Sequence, residues 1–273
     1  MSKPLVEVLI ATYEERISCV KSVVAQQHAN LRYRVVHQTP SGNQYAEEVS
    51  QLITGRDDIN YHRLQSRGVT KSRNWALKHA EGDIIVFMDD DVLLEKNFYE
   101  VIVKAFQAMP QADLLTFSIK ETGTDALLKP YPASSIRHHK GSILKVGTIE
   151  VAGRLSRLRE TAQAFPEYLG AGTSLSACDE PVYLSRLMKA GLRLFSYPQV
   201  IACHPRLSSG KVFENESQFV CRGVAFREIF GMWLAPFAIV YFYLKNRSKF
   251  SWAEGSPLSA FFKGYFLYST LKK

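Results

Sequence analysis

Apolar residues in the first half of the chain come in short blocks, and longer segments of helical spacing separate them. Val6-Glu7-Val8-Leu9-Ile10-Ala11 reads as a first strand running into Thr12-Tyr13-Glu14-Glu15-Arg16, with a helix expected from about Ile17 to Gln27. Tyr33-Arg34-Val35-Val36-His37 is a second strand, broken by the turn formers Pro40-Ser41-Gly42-Asn43. A helix from about Gln44 to Leu52 and a short extended piece at Ile59-Asn60-Tyr61-His62 follow. Thr70 or Lys71 then opens a helix through Ala80, which Gly82 closes. The run Asp83-Ile84-Ile85-Val86-Phe87-Met88 is short and branched, as a buried strand requires, and it ends in Asp89-Asp90-Asp91. From Glu95 to Met109, Val101, Ile102, Ala105 and Phe106 fall on a helical spacing, and Asp113 to Ile119 is the next strand. This alternation predicts an α/β fold: a mostly parallel, doubly wound, Rossmann-like sheet with helices on both faces. Such sheets bind ligands at the carboxyl ends of their strands, which here carry Thr12-Tyr13-Glu14, His37-Gln38 and Asp89-Asp90-Asp91.

Three consecutive carboxylates repel one another unless a cation or hydrogen-bond donors compensate them. Strand alternation puts Asp89 and Asp91 on one side, an all-oxygen site suited to Mg2+ or Mn2+ with waters and substrate phosphates as further ligands. A solvated acidic turn that caps the next helix accounts for the triplet equally well. The stretch from about Glu121 to Glu150 breaks the rhythm with Gly123, Pro130, Pro132 and Gly141. Within it, Arg137-His138-His139-Lys140 reads most simply as a solvated basic loop, since neighbouring histidines diverge too far to make a good metal pair. Gly170 and Gly172 imply a close backbone approach, although no dinucleotide fingerprint surrounds them. Asp179-Glu180 before Pro181 marks a helix start whose acids suit the helix dipole; a general base at the helix entrance is the functional alternative.

Composition narrows this only in part. The 273 residues, 46% hydrophobic, suffice for one large α/β domain or a core with a small addition. A net charge of +8 suits phosphate-bearing ligands, nucleic acid or anionic membrane. Nucleic acid is not expected, because the basic residues are dispersed and form no reading motif. Cys19, Cys178, Cys203 and Cys221 lack CxxC spacing and read as reduced residues of a cytoplasmic protein. Met1-Ser2-Lys3-Pro4 runs straight into the first strand without a cleavable leader pattern. From about Glu214 the chain becomes strongly apolar and helical, through Phe219, Val224, Ile229, Trp233 and on to Leu244. Lys245, Arg247, Lys249, Lys263, Lys272 and Lys273 accompany it. Its longest apolar stretch, Gly231 to Leu244, falls short of the roughly 20 residues of a spanning helix. An interfacial membrane anchor and a helical hairpin packed on the core or on a second copy of the chain both fit.

Taken together, several ordered blocks resemble bacterial glycosyltransferases of family 2. These blocks are Val8-Leu9-Ile10-Ala11-Thr12-Tyr13, Ser72-Arg73-Asn74-Trp75-Ala76-Leu77, the run Ala80 to Asp91, Asp179-Glu180 with Arg186-Leu187, and Gly191. The closing Val200-Ile201-Ala202-Cys203-His204-Pro205 is similar to capsule, lipopolysaccharide and exopolysaccharide members. The resemblance covers roughly residues 5–205. It implies a GT-A fold over 1–213, divided into a donor half (1–120) and an acceptor half (121–213), with 214–273 as a C-terminal helical extension. The implied reaction is an inverting, metal-dependent transfer from a nucleotide-sugar donor, a UDP-sugar foremost, to a hydroxyl of a glycan or lipid-linked glycan. The enzyme would be cytoplasmic, and peripheral on the inner face of the plasma membrane if the extension binds lipid.

The same resemblance implies roles for residues. Thr12, Tyr13 and Glu14 would line the base and ribose pocket, while Lys71, Arg73 and Asn74 would support the diphosphate. Asp89 and Asp90 would reach toward ribose and phosphate, and Asp91 would bind Mn2+ or Mg2+ most directly, with Asp89 and His204 as further ligands. The family's usual pair is Glu-Asp with the second acid as base, so the order here assigns the base to Glu180 with Asp179 in reserve. One departure stands out: His37-Gln38-Thr39-Pro40 replaces the family's Asp-Asp-Gly-Ser, and Gln38 offers a donor and an acceptor to a pyrimidine edge. A nucleotidyltransferase acting on sugar phosphates is the enzymatic alternative, but Thr12 to Arg16 lacks the glycines it needs. A glycan-binding or scaffolding subunit is the non-enzymatic one, opposed by the intact acid pairs.

Overall fold

The computed structural model describes residues 3–42, 44–205, 213, 215–252 and 255–271. Met1, Ser2, Asn43, Glu214, Lys272 and Lys273 of the sequence reading lie outside them. Four strands, β1 (Val6–Tyr13), β2 (Leu31–Gln38), β3 (Ile59–Leu64) and β4 (Ile84–Asp89), pair in parallel with β1 between β2 and β4. A short α1 (Val20–Val23), α2 (Ala46–Ile53) and α3 (Val69–His79) connect them. The turn before β4 is fastened from beneath. Glu7 accepts the N–H groups of Glu81 and Gly82 and pairs with buried Arg34, and a Cβ on Gly82 would come within 2.8 Å of the Glu7 Cβ.

Beyond β4 come β5 (Leu93–Leu94), α4 (Phe98–Ala108), β6 (Leu114–Glu121), β7 (Val151–Arg154), α5 (Leu155–Glu160), α6 (Asp179–Lys189) and β8 (Leu194–His204). The single sheet runs β3-β2-β1-β4-β7-β6-β8-β5. It is mostly parallel, as the alternation predicts, but β7 runs antiparallel to both β4 and β6. A parallel neighbour needs a crossover, usually a helix. Between β6 and β7 the chain forms only short 3-10 turns at Ile143–Lys145 and Thr148–Glu150, so β7 returns in the opposite direction.

Alternation along β1 divides the core. Val6, Val8 and Ile10 pack with Phe98, Ile102 and Phe106 of α4 on one face; on the other, Leu9 joins Leu77 of α3 and Tyr183 of α6. The helix expected from Ile17 to Gln27 is instead a 3-10 segment, Glu14–Cys19, followed by the single turn of α1. The Ser18 and Ser22 hydroxyls bond back to the Glu15 and Cys19 carbonyls, a local alternative that competes with a regular helix.

A third apolar cluster joins the C-terminal helices to the core. α7 (Glu216–Asn246) and α8 (Pro257–Leu271) cross where Gly223 faces the Phe261 carbonyl and Gly264 faces the Val220 carbonyl; a Cβ at either glycine would lie 2.0 Å from that oxygen. The first part of α7 buries Phe219, Val220, Val224 and Ile229. Buried Glu228 accepts from Arg186 Nε at 2.6 Å and from the Tyr168 hydroxyl, tying α7 to α6. The extension is thus a packed hairpin over its first part. At Gly231 the backbone leaves helical geometry (φ 81°, ψ 179°), and the apolar residues beyond this break are largely exposed.

Candidate active site

Parallel pairing brings the ends of β1 and β4 side by side, Ala11 opposite Asp89. Of the acid triplet, Asp90 turns into the protein, where it accepts from the Thr12 hydroxyl at 2.8 Å and from Arg16 Nε at 3.0 Å. Burial raises its pKa, and the hydrogen bonds from Arg16 and Thr12 oppose the rise. Arg16 Nη2 also donates to Asp91 at 3.0 Å. This guanidinium, given no site role by the sequence, is one of the cations that three adjacent carboxylates call for.

Asp91 faces the end of β8. Its Oδ1 lies 3.3 Å from His204 Nε2, and together His204 and Arg16 hold the Asp91 carboxyl down at about 2. The other ring nitrogen of His204 donates to the Pro205 carbonyl at 2.5 Å. Asp91 Oδ1 is buried and takes no well-aligned hydrogen bond from any described residue. Asp91 and His204, which lie on different strands of the sequence reading, therefore meet. Among the described residues no group of three or more His, Cys, Asp and Glu side chains is placed to hold a metal ion.

Asp89 is engaged differently. Arg73, buried on α3, donates to Asp89 Oδ1 at 2.9 Å and to Asp179 Oδ2 at 2.7 Å, and lies 3.8 Å from Glu180. The strand bearing the triplet and the helix bearing the acid pair are thus joined through one guanidinium. Asp179 is buried at the N-terminus of α6, beneath Gly170, where an added Cβ would fall 2.9 Å from the carboxyl carbon. Burial, then the charge of Glu180, pushes the Asp179 carboxyl up to about 8. Glu180 is part-exposed, and its Oε1 accepts the Thr148 hydroxyl at 2.6 Å.

The glycine-rich loop before α6 does approach other backbone closely. Gly172, with φ of +85°, sits where a Cβ would meet the Gly68 backbone at 3.1 Å, and Val69 N–H donates to the Ala171 carbonyl.

Other expected contacts are occupied internally. Asn74 exchanges hydrogen bonds with the Phe165 backbone and donates to Glu167, so it pins the 165–167 segment, and Arg73 spends both its terminal nitrogens on acids. Lys71 stays exposed on the first turn of α3. Gln38 is buried and gives its amide hydrogens to Ser66 Oγ and the Gly68 carbonyl. Glu14, at a left-handed φ of 48°, is buried and accepts both the N–H and the hydroxyl of Ser41; Tyr13 is the exposed member of its trio. The basic loop also needs correction: His138 is buried, one ring nitrogen on Thr116 at 2.8 Å and the other on Ser142 at 3.0 Å. Burial lowers its pKa to about 4 and keeps it neutral.

The sequence model of glycosyl transferase family 2 matches residues 8–150, which carry the acid triplet, Arg16, Arg73 and Thr148. The chain belongs to glycosyl transferase family 2. Among curated relatives it is similar to a glucosyl-dolichyl phosphate glucuronosyltransferase of Haloferax volcanii, 27% identical over 101 residues. That match takes in 37% of this chain and about a third (32%) of the relative's length. Crystal structures of S. aureus TarS have a similar fold. One superimposes with a TM-score of 0.62 at 17% identity, covering 89% of this chain and 44% of TarS. The 1–349 fragment in complex with UDP-GlcNAc gives 0.65 at 17% identity, covering 89% and 73%. The sheet and its helices are accordingly those of the GT-A architecture, with α7 and α8 as the C-terminal helices of this chain. Family membership sets aside the nucleotidyltransferase alternative.

Proposed function

We propose that this family 2 enzyme moves a sugar, with inversion, from a nucleotide-sugar donor to a hydroxyl of a glycan or lipid-linked glycan in bacterial surface polysaccharide synthesis. The observation that carries the reading is the Arg73 bridge, which sets Asp89 at the strand end beside Asp179 and Glu180 at the helix entrance. The UDP-GlcNAc complex of the similarly folded TarS fragment supports a UDP-sugar as donor. In this reading residues 1–120 bind donor, residues 121–213 face acceptor, and 214–273 form the extension. Thr12, Tyr13 and Glu14 frame the nucleoside end, with Gln38 beneath them; Lys71, exposed on the first turn of α3, is a cation for the diphosphate.

Glu180 is the general base and Asp179 its support. A base must come within about 2.6–3.2 Å of the hydroxyl it deprotonates, which a part-exposed carboxylate can do and buried Asp179 cannot. Thr148 fixes Oε1 of Glu180, leaving Oε2 for the acceptor. The acceptor oxygen attacks the anomeric carbon as its proton passes to Glu180, and the bond to the diphosphate breaks with its electron pair leaving on the diphosphate. Arg16, half-exposed beside Asp90 and Asp91, lends positive charge to that side of the site.

Asp91 and His204 suit a divalent metal: a buried carboxylate oxygen without a hydrogen-bond donor faces an imidazole nitrogen. One oxygen and one nitrogen favour Mn2+ over Mg2+, with phosphate oxygens and water completing the set. Such an ion supplies Lewis-acid neutralisation of the departing diphosphate. The four cysteines of the chain are free, in keeping with a cytoplasmic enzyme at the inner face of the plasma membrane.

The test pairs binding with turnover. UDP, dTDP, GDP and CMP are screened by thermal shift with and without Mn2+, and transfer is assayed in Glu180→Gln. One nucleotide should raise the melting temperature, with a dependence on Mn2+ that Asp91→Ala abolishes. Glu180→Gln should keep that shift while losing turnover by about 10^2- to 10^4-fold. Full turnover in Glu180→Gln would remove the base assignment; no shift with any nucleotide would remove the donor site.

A further inference from the structure

Beyond Gly231, α7 presents a face that none of the described residues covers. Trp233, Phe237 and Tyr241 recur every four residues and are 79%, 74% and 65% exposed, with Leu234 and Leu244 beside them. Phe266 of α8, 68% exposed, is a further uncovered aromatic. On the opposite side of the same helix, Ala235 and Ile239 are buried and Phe242 packs against Phe261 of α8, so the orientation of this segment is fixed by its own packing. The apolar face is therefore held outward.

Charge selects the partner. From Ile229 to Lys273 the sequence holds six lysines and arginines and one acid, Glu254. Lys245, Arg247 and Lys249 follow directly on the apolar face and are exposed, with the Lys245 ammonium 5.6 Å from the Tyr241 ring centroid. A second copy docked by the same segment would bring six more lysines and arginines and only Glu254 to compensate them. An anionic lipid surface would neutralise them while taking up the aromatic side chains. We infer that this face, centred on Trp233, Phe237 and Tyr241, docks the protein on an anionic bilayer, with the second part of α7 lying in the plane of the interface.

Length argues for lying rather than crossing. The helical segment from Glu216 to Lys249 is long and apolar enough to span a membrane by length and composition. Its first part, however, is already buried against the core and α8. What remains, Met232 to Asn246, is roughly 22 Å long, against a hydrocarbon thickness of roughly 30 Å. The break at Gly231 separates the two uses. Lipid binding by this face does not depend on which sugar is transferred, or on whether transfer proceeds as proposed.

The experiment floats the full-length protein with vesicles of phosphatidylcholine alone and of an equal mixture with phosphatidylglycerol. The wild type should float with the mixed vesicles, far less with the neutral ones, and be stripped by alkaline carbonate. Trp233→Glu/Phe237→Glu should lose flotation, yet keep the wild-type melting curve and nucleotide-induced thermal shift, since both positions are exposed. Lys245→Glu/Arg247→Glu/Lys249→Glu should weaken binding to mixed vesicles about a hundredfold. Wild type floating with neither vesicle, or the double variant floating like wild type, would overturn the inference. Retention after carbonate would overturn the in-plane arrangement. A dimer by light scattering that the double variant splits, without flotation of the wild type, would assign the face to a second copy instead.

Discussion

Arg16 and Arg73 each hold two carboxylates, in opposite surroundings. The Arg16 side chain is 46% exposed and serves Asp90 and Asp91; that of Arg73 is 7% exposed and serves Asp89 and Asp179. At the first cluster water can take over part of the compensation at Arg16 and Asp91, while Asp90 keeps the Thr12 hydroxyl. At the second, the guanidinium is itself buried, and removing it leaves buried Asp179 without its cation while Asp89 still meets water. The first cluster can exchange partners with solvent, and the second holds the end of β4 and the start of α6 in register.

Substitution separates the two most strongly. Arg73→Met should cost about 3 kcal/mol in urea unfolding, since it takes the charged donor from buried Asp179 and from Asp89 together. A cost below that of an ordinary surface substitution would mean that the bridge does not hold the halves together. A smaller effect concerns protons. One guanidinium faces three acids, and the folded state holds the proton of Asp179 up to about pH 8 against an ordinary value of 3.8. Between these values the native state binds more protons than the unfolded one, so this contribution is fully present below about pH 4 and is lost as pH rises toward 8. Urea midpoints at pH 5 and pH 8 should therefore fall more for wild type than for Asp179→Asn. Smallest in stability terms is Arg16→Met, expected to cost about 1 kcal/mol: the guanidinium is half-exposed, although its loss leaves buried Asp90 with the Thr12 hydroxyl alone. Its thermal shift with nucleotide should nonetheless shrink. If Arg16→Met destabilises as much as Arg73→Met, the distinction between the clusters fails.

The parts legible in the sequence were those with local signatures. The apolar run ending in three aspartates announced β4, Pro181 after two acids announced α6, and Gly170 and Gly172 announced a close backbone approach. Residues whose roles arise from pairing far along the chain were not legible. Arg16 looks like any charged residue after a strand, although the repulsion within the triplet already required some cation. For Arg73 the sequence pointed to a diphosphate contact and not to its link between Asp89 and Asp179, since nothing local says that Asp179 lies within 2.7 Å of it. Thr148 sits in a stretch without periodicity, and β7 is only four residues long, so neither gave a local signal. His138 reads as polar surface until Thr116 and Ser142 are seen to satisfy both its ring nitrogens.

The position of β7 bears on how the chain is made. β4 ends at Asp89, yet the strand that covers its outer side begins only at Val151. During synthesis β1 to β4 can pair as a parallel sheet while the β4 edge still offers bare backbone donors and acceptors to any passing strand. Only when residues 151–154 emerge is that edge closed, and with it the link to β6. A nascent chain stalled between these points would expose an edge prone to mispairing, so the four residues of β7 also close a route to aggregation before α6 and β8 are made.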